Sequence, residues 1–367
     1  MRILQLLYSR NFAGTEHSVL TLSKALVEAG HEVVIAVKDK GILKEIYRRN
    51  NLRVATIPIN TFLATRRIGD RAKQNKVNII HAHLTEGTRM ACKIHQRTQI
   101  PIVAHLRILR DDPAYRKAAQ NGLLIANSSY TARFYEEAGI PPGKIRTIPN
   151  ATGAAASPVA STPKAALAAY FRHTLKLPAG ARLISLPGRI ASEKGHATLL
   201  RAMPEVLKKH PKAHVLIPGN LKQKPIHALR LFALQKQLSL KHNVHFLGFR
   251  TDVLAITRAS EIQLVPSCCE PFGLVAIEAM AMETPVIGAD SGAIPDILEN
   301  QTLGTLFPYD DHAALAGIII SALDNPAPFQ AKTALAKTRV LEIYNPATLA
   351  ARVIAVYEEL LKPSPAA

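Results

Sequence analysis

Two glutamates eight positions apart, Glu270 and Glu278, could hold a polar ligand. Glu270 follows the apolar run IQLVPS, and Gly273 stands between the carboxylates, just before an apolar stretch typical of a helix. Glycine allows close backbone approach, and a helix that begins near Leu274 would direct free N–H groups at an anion. A carboxylate can accept hydrogen bonds from two vicinal hydroxyls, as on a ribose. We therefore expect Glu278 to hold a ribose, with Glu270 at hydroxyls beyond a diphosphate.

A second charged group also indicates an anionic ligand. Gly188, Arg189, Lys194 and Gly195 follow the predicted strand RLISLP, in the connection to a predicted helix. An arginine and a lysine five positions apart can neutralise the two charges of a diphosphate, and the guanidinium can bind in a fork. The same cations could stabilise a diphosphate as it leaves.

The elements that must position these residues alternate between apolar strands and helices. This rhythm runs through the first half of the chain and restarts after a stretch rich in Ala, Ser, Thr and Pro, at 151–169. It predicts an α/β protein of two Rossmann-like domains, 1–160 and 170–344, facing each other across a cleft. We interpret 151–169 as a linker or loose loop, and expect a helix at 345–363 to pack back on the first domain.

Composition limits the function classes. The 46 basic and 27 acidic residues give a net charge of +19, of which residues 1–150 carry 24 − 11 = +13 and the remainder 22 − 16 = +6. A basic surface attracts a phosphorylated substrate, nucleic acid or an anionic membrane. Aromatic residues are few and do not interleave with the basic ones, so we expect no nucleic acid partner. No apolar run is long enough to span a bilayer, and three cysteines indicate a reducing cytoplasm.

Several motifs together resemble one enzyme family. These are Gly188-Arg189 with Lys194-Gly195, the segment EPFGLVAIEAMA that holds Glu270 and Glu278, and the following PVIGADSGAIPDIL. They resemble the retaining glycosyltransferases of family 4, which have the GT-B fold. The N-terminal AGTEHSVLTLSKALVEAGHEV, the strand ends IIHAHL and VAHLR, and ANSSYTARFYEEAGIPPGKIRTIPN extend the likeness over most of the chain. The chain departs from the family pattern where Ala13, Glu283 and Ala293 replace common glycines.

The resemblance implies a role for each matched residue. It places Arg189 and Lys194 at the donor diphosphate, Glu278 at the ribose and Glu270 at the donor sugar. His105 would contact the donor sugar, so the residues expected in catalysis are His105, Glu270, Lys194 and Arg189. The full expected donor-binding set is Gly14, Gly188, Arg189, Lys194, Glu270, Phe272, Gly273, Leu274 and Glu278.

The resemblance also implies an activity. A hexosyl unit would pass, with retention and without a metal or cofactor, from a nucleotide diphosphate sugar to an acceptor. UDP is the family-level expectation for the nucleotide, and the acceptor would be a glycan or lipid-linked molecule such as lipopolysaccharide core or another cell-surface glycan. We expect a cytoplasmic protein, peripheral on the inner face of the membrane. Two alternatives stay open: a GT-B nucleotide-sugar epimerase, and a non-enzymatic protein that binds polyanions or membranes.

Other polar residues allow two interpretations each. His105 could be purely structural, and His81 with His83 could suggest a metal pair, but the sequence shows no third ligand at a useful spacing, so we expect no metal site. Cys268 and Cys269 lack a base partner, which favours loop packing over nucleophilic catalysis. Two basic groups are either solvated surface or contacts for anionic lipid and a phosphorylated acceptor: Arg66, Arg67, Arg71, Lys73 and Lys76, and Arg107, Arg110, Arg116 and Lys117.

Overall fold

A computed structural model describes residues 1–10, 12–58 and 61–362; for residues 61 and 62 it describes the backbone only. The chain forms two compact units, one of Met1–Ala151 with the stretch from Ile343 onward, the other of Thr152–Glu342. The division after Ala151 falls at the start of the Ala-rich segment. Each unit holds its own parallel sheet, so both are Rossmann-like α/β domains, as the sequence predicts.

The first unit is built on a seven-stranded sheet in the order β3-β2-β1-β4-β5-β6-β7. Its central strands are short and almost wholly buried, which is typical of parallel strands covered by helices on both faces. The strands are β1 (Arg2–Leu7), β2 (Glu32–Lys38), β3 (Arg53–Ile57), β4 (Ile79–His83), β5 (Ile102–Leu106), β6 (Gly122–Ala126) and β7 (Ile145–Thr147). The strand order reverses between β1 and β4, and ligands of such sheets bind beyond the carboxyl ends of strands at that point.

Helices connect the strands of this unit and bury their apolar sides on the sheet. Ser128 and Asp112 cap two of them by accepting hydrogen bonds from backbone N–H groups of the first turn. The helices are α1 (Gly14–Glu28), α2 (Leu43–Arg49), α3 (Thr61–Gln74), α4 (Leu84–Thr98), α5 (Pro113–Asn121) and α6 (Ser129–Glu137).

The segment 151–169 is not the loose linker that its composition suggested. It forms a 3₁₀ turn (Ala154–Ala156), the short helix α7 (Pro158–Ser161) and the start of α8 (Lys164–Thr174). Ser157 caps α7, and Ala168 and Phe171 of α8 are buried in an apolar cluster of the second unit. Alanine is the best helix former, so a segment rich in Ala can be helical once a cap and a packing surface are present.

The second unit repeats the architecture with a six-stranded parallel sheet, in the order β10-β9-β8-β11-β12-β13. Its strands are β8 (Arg182–Ser185), β9 (Ala213–Pro218), β10 (Val244–Gly248), β11 (Ile262–Val265), β12 (Val286–Asp290) and β13 (Thr305–Pro308). Its further helices are α9 (His196–Lys209), α10 (Pro225–Gln237), α11 (Val253–Ala259), α12 (Leu274–Ala281), α13 (Ile294–Ile297), α14 (His312–Asp324) and α15 (Ala327–Ile343). Here the order reverses between β8 and β11.

The last helix, α16 (Pro346–Leu361), belongs to the first unit. It packs against α1, and its Leu349, Val353 and Tyr357 lie in the same apolar cluster as β1 and β2. Arg146 bonds to Glu359 and ties the helix to β7. The predicted helix end at residue 363 lies outside the described residues.

A buried arginine fixes the turn after α12. Glu283, which stands where the related family often has glycine, adopts the left-handed conformation at φ +56°. Its carboxylate bonds to Arg258, which is only 8% exposed and also donates to the backbone carbonyls of Thr162 and Met282. The arginine contacts therefore offset the strain that a glycine would avoid.

Candidate active site

The two loops of the second unit that hold the predicted ligand-binding residues pack directly on each other. Gly195 ends the loop after β8 and begins α9 in a left-handed conformation, φ +68°. A Cβ there would lie 2.0 Å from the carbonyl oxygen of Pro266, in the loop after β11. Only glycine can satisfy both the conformation and the contact. The switch point of the sheet therefore brings the Lys194 loop against the Glu270 loop.

A third loop holds Glu270 from the other side. The backbone N–H of Ala293 donates to the carbonyl of Glu270 at 2.9 Å. Gly292 has φ +64°, and a Cβ there would lie 2.4 Å from the Glu270 nitrogen. Gly273, at φ +101°, precedes α12. These close backbone approaches leave the loop little freedom to shift Glu270.

Lys194 and Glu270 meet as an ion pair. The Lys194 Nζ lies 2.5 Å from the Glu270 Oε2, with the two side chains 18% and 12% exposed. A pair so shielded is stronger than a surface pair and is costly to break from one side. Arg189 instead bonds to Glu193 at 3.0 Å, with both side chains about half exposed. The structure thus joins two of the predicted residues and leaves the arginine on the neighbouring surface.

Glu278 differs from these charged residues because its carboxylate has no partner among the described residues. It lies in the second turn of α12, half-buried, and no hydrogen bond or ion pair reaches its oxygens from the part of the chain that the structure describes. Burial raises the pKa of Glu278 to about 7. An acceptor held in this state can gain hydrogen bonds from a ligand's hydroxyls. Phe272, in the adjacent loop, has its side chain buried in the core.

The adjacent cysteines lie at the exposed edge of this loop. The Sγ atoms of Cys268 and Cys269 are 3.0 Å apart. The backbone N–H of Cys268 donates to the carbonyl of Glu193, and that of Cys269 to the Ser291 hydroxyl. The hydrogen bond with Cys268, followed by burial, raises the pKa of Cys269 to about 11. A thiol with this pKa is a poor nucleophile at neutral pH, in line with the loop-packing interpretation.

Gly14, the predicted glycine of the first unit, is the first residue of α1, which is the next helix after β1. A Cβ at this position would meet nothing within 4 Å, so the surrounding chain does not require glycine here. Ala13 precedes it as the N-cap, and the Glu16 carboxylate accepts the Ala13 backbone N–H at 3.0 Å. The open space at Gly14 leaves room for a ligand close to the backbone.

Strand register collects five polar side chains on one face of the first sheet. Gln5 of β1 is opposite His81 of β4, and His83 of β4 is opposite His105 of β5. Side chains two positions apart share a face, so Arg107 joins His105 just past the end of β5. All five are at most 5% exposed. This cluster was not predicted from the sequence, because its members come from three strands.

The prediction that Arg107 lies at the surface, as a solvated residue or as a contact for a phosphorylated acceptor, is wrong, because Arg107 is buried. Its guanidinium lies inside the histidine cluster and donates to Asn150 at 2.5 Å. Burial lowers the pKa of Arg107 to about 9. Burial, followed by the nearby guanidinium, lowers the pKa of His81 to about 3 and that of His105 well below its usual range. Burial, followed by His81 and then by the guanidinium, lowers the pKa of His83 well below its usual range. The three imidazoles are therefore neutral at physiological pH.

A third histidine does join His81 and His83, contrary to the sequence-based expectation. One ring nitrogen each from His81, His83 and His105 lies within 4.8 Å of the others. Three neutral imidazoles can bind zinc. Here, however, the Arg107 guanidinium lies 3.4 Å from a nitrogen of His83 and 3.2 Å from a nitrogen of His105. A cation among these rings would face that charge and displace the existing hydrogen bonds, so the arrangement does not fit a resident metal.

The other basic residues are at the surface. Arg110 and Lys117 are exposed, and Arg116 bonds to Asp111. On α3 and just beyond it, five exposed cations have no ion-pair partner within the described ranges: Arg66, Arg67, Arg71, Lys73 and Lys76. This stretch is the α3 basic face. No helix among the described residues has the length and apolar character needed to cross a membrane.

A model of a known protein family matches each of the two units. The model "Glycosyltransferase Family 4" matches residues 12–152, and "Glycosyl transferases group 1" matches residues 171–338. The phosphatidyl-myo-inositol mannosyltransferase of Mycolicibacterium smegmatis is 26% identical over 369 residues, which cover 94% of this chain and 90% of that one. A D-inositol 3-phosphate glycosyltransferase of Corynebacterium kroppenstedtii is 35% identical over 159 residues, but these span only 35% of its length.

Solved structures share the fold over nearly the whole chain. The Anabaena protein Alr3699/HepE, in complex with UDP and glucose, superposes with a TM-score of 0.88 at 20% identity, covering 98% of this chain and all of that one. The lipopolysaccharide outer core galactosyltransferase WaaB superposes with a TM-score of 0.72 at 13% identity, covering 98% and 100%. At these identities the likeness establishes the GT-B fold.

Proposed function

The chain belongs to the family 4 glycosyltransferases of the GT-B fold, and on that premise we propose that it transfers a hexosyl unit from a UDP-sugar to a glycan or lipid-linked acceptor. The observation that carries the proposal is the carboxylate of Glu278, which is half-buried and has no partner among the described residues, in the same unit as the Lys194–Glu270 pair. A pair of ribose hydroxyls would supply the hydrogen bonds that this carboxylate lacks. Lys194, freed from Glu270, would bind the diphosphate.

The chemistry follows from the positions of the charges. Lys194 and Arg189 would neutralise the diphosphate as the bond to the sugar breaks, while Glu270 would accept hydrogen bonds from sugar hydroxyls. We propose that the reaction retains anomeric configuration and needs no metal. The leaving diphosphate oxygen would take the acceptor proton, so no second carboxylate is required at the bond.

Donor binding is the first test. Thermal unfolding would be measured with UDP, GDP, UDP-glucose, UDP-N-acetylglucosamine and GDP-mannose, with EDTA present, since a ligand that binds the native state raises the midpoint. We expect a shift with a uridine nucleotide that is lost in Glu278→Ala. Glu205→Ala is the matched control, because Glu205 is an exposed glutamate whose described partner is Lys208 on the same helix. No shift with any nucleotide would remove the donor-site assignment.

The acceptor is proposed from the charge of the α3 basic face and from the names of two similar proteins. The mycolicibacterial relative is named for a lipid acceptor, and WaaB for lipopolysaccharide. The α3 basic face, unpaired within the described ranges, suits an anionic membrane, and on this support we propose that the enzyme binds the inner face of the cytoplasmic membrane. Sedimentation with vesicles tests this: binding should require anionic lipid and fall when Arg66, Arg67 and Arg71 become Glu. Equal binding by that variant would contradict a role of the α3 basic face in membrane binding.

The stereochemistry and the main alternative are tested together. Proton NMR of the product formed from an α-linked donor, in EDTA, should show an α-glycoside. A β-glycoside would contradict retention, and activity that needs added divalent metal would contradict metal independence. Conversion of the donor to its epimer with no acceptor present would instead indicate a nucleotide-sugar epimerase.

A further inference from the structure

The guanidinium of Arg107 is buried and forms no ion pair with a carboxylate of the described residues, although the charge of the buried Glu16 favours its charged form. Its described partners are Asn150 Oδ1 at 2.5 Å, His105 Nδ1 at 3.2 Å and His83 Nδ1 at 3.4 Å. Buried charges are ordinarily paired with an opposite charge. Placing this one against imidazole nitrogens needs another explanation, and the hydrogen-bonding capacity of the groups supplies it.

A guanidinium has five N–H donors and no acceptor. The nitrogens that face it must therefore be acceptors, which fixes the protons on two rings. His83 accepts at Nδ1 and so carries its proton on Nε2, where it can donate to Gln5 Oε1 at 3.1 Å. His105 accepts at Nδ1 and so carries its proton on Nε2 as well. Both rings are neutral, because a protonated imidazole would have no acceptor to offer.

The assignment extends to the C-terminal helix. His81 Nε2 lies 3.3 Å from His105 Nδ1, which is already an acceptor, so His81 Nε2 must carry a proton. His81 Nδ1 is then an acceptor, and the hydroxyl of Tyr357 on α16 donates to it at 2.5 Å. The chain of hydrogen bonds is therefore consistent from Arg107 to Tyr357, with each proton in one place.

Of the six ring nitrogens of His81, His83 and His105, one has no hydrogen-bond partner among the described residues. The Nε2 of His105 is buried and has no hydrogen-bond partner among the described residues, whereas both nitrogens of His81 and of His83 are engaged. By the assignment above, this nitrogen carries a proton. A buried donor without an acceptor is unfavourable, so an oxygen supplied from outside the protein is the partner that this N–H lacks.

We propose that Arg107 is a positioning residue that locks His105 in the Nε2–H tautomer, so that His105 donates a hydrogen bond to an oxygen of the bound sugar substrate and cannot act as a general base. The proposal rests on the proposed function for the identity of the substrate. The tautomer itself depends only on the protein and can be measured without any substrate.

Long-range proton–nitrogen correlation spectra of protein labelled with ¹⁵N-histidine report which ring nitrogen carries the proton. The chain has 14 histidines, so His105→Gln and His81→Gln assign the two rings by loss of their signals. In the wild type we expect His105 as the pure Nε2–H form from pH 6 to pH 8. An Nδ1–H form of His105, or an imidazolium that titrates in this range, would overturn the proposal outright.

Two variants separate positioning by Arg107 from general packing. Arg107→Met keeps most of the side-chain volume but removes every donor, and an Nδ1–H population of His105 should appear. Arg107→Lys restores one donor and should recover the wild-type tautomer. Tyr357→Phe is the matched control, because it removes a hydrogen bond from the same cluster and leaves Arg107 in place. Its His105 should stay Nε2–H, and a tautomer that changes there but not in Arg107→Met would refute the assignment.

Kinetics then connect the tautomer to the reaction. Arg107→Met should lower kcat/KM by about tenfold, the loss expected for one hydrogen bond to the substrate. His105→Gln keeps an N–H donor and should retain the wild-type pH profile, whereas His105→Leu should not exceed the activity of Arg107→Met. A confirmed tautomer without transferase activity would leave the positioning role standing and refute the proposed function instead.

Discussion

Donor affinity should depend on pH through one residue, Glu278. Its carboxyl is half-buried without a hydrogen-bond partner in the described part of the chain, and burial raises its pKa to about 7. The ionised form accepts hydrogen bonds from both ribose hydroxyls, whereas the protonated form has lost part of that capacity. If only the ionised form binds, the apparent Kd is the intrinsic Kd multiplied by one plus the ratio of protonated to ionised carboxyl. With a pKa of about 7, affinity should rise about tenfold from pH 6 to pH 8.

Isothermal titration with an intact nucleotide sugar measures this slope. The intact donor is the right ligand because its diphosphate is a diester with no group that titrates between pH 6 and pH 8, unlike the terminal phosphate of free UDP. Glu278→Gln removes the ionisable group but keeps the shape of the side chain. Its affinity should be weaker and independent of pH. A wild type with no slope, or a variant that keeps it, would refute the assignment of Glu278 to the ribose.

The same carboxyl should also lower the free energy of unfolding at the pH values where it is ionised. A raised pKa means that folding favours the protonated form, so the free energy of unfolding falls as pH rises from about 4.5 to about 7 and stays lower above that. The shift corresponds to a ceiling of about 3 kcal/mol. Partial exposure of Glu278 reduces this through solvent screening. Glu278→Gln should therefore unfold at a higher temperature than the wild type at pH 8, with the difference shrinking as pH falls and vanishing below about pH 4. A variant that is less stable at pH 8 would show that the carboxylate has a partner.

Three further substitutions test the neighbouring structure. Gly292→Ala should weaken donor binding by at least about tenfold, because its Cβ would overlap the Glu270 backbone. Gly180→Ala is the control, because Gly180 has a similar φ of +76° and no atom closer than 3.9 Å to the added Cβ. This control should lose about 1 kcal/mol of stability and keep the wild-type donor affinity in titration. Lys194→Met should lower kcat by roughly 100-fold while donor Kd changes less, and the reverse split in kinetics and titration would place the lysine at ground-state binding. Arg258→Leu should destabilise the protein by about 3 kcal/mol in thermal and urea unfolding, since two buried carbonyls lose their donor; an unchanged midpoint would contradict that role.

The sequence predicted the parts of the fold that depend on local pattern. Buried strands followed by helices identified both Rossmann-like domains, and the glycines near Glu270 indicated tight loops at strand ends. Composition was misleading at 151–169, because alanine content alone does not separate a loose linker from a capped helix. The Ala-rich segment became helical through the local Ser157 cap, which accepts the Val159 N–H, and through burial of Phe171, which depends on surfaces distant in the chain.

The histidine cluster shows why the rest could not be predicted. His81, His83 and His105 looked unrelated to Arg107 because strand register, not spacing along the chain, brings them together. The alternation His-x-His in β4 and His-x-Arg at the end of β5 was a usable signal, since residues two apart share a face. Their partner Tyr357 comes from the last helix, more than 250 residues away in sequence. No local pattern predicts that contact.

The two proposed ligand-binding groups follow one physical rule. Nearly every polar atom around them is satisfied within the protein: Lys194 by Glu270, His83 by Gln5, His81 by Tyr357. Among the described residues, the Glu278 carboxylate lacks a donor, and the His105 Nε2–H and the Gln5 Nε2 amide lack acceptors. Leaving such groups unpaired lowers stability, and a chain selected for stability alone would replace them with apolar residues. Their persistence inside otherwise complete networks is expected when a substrate completes the hydrogen bonds, because each then contributes to binding what it costs in folding.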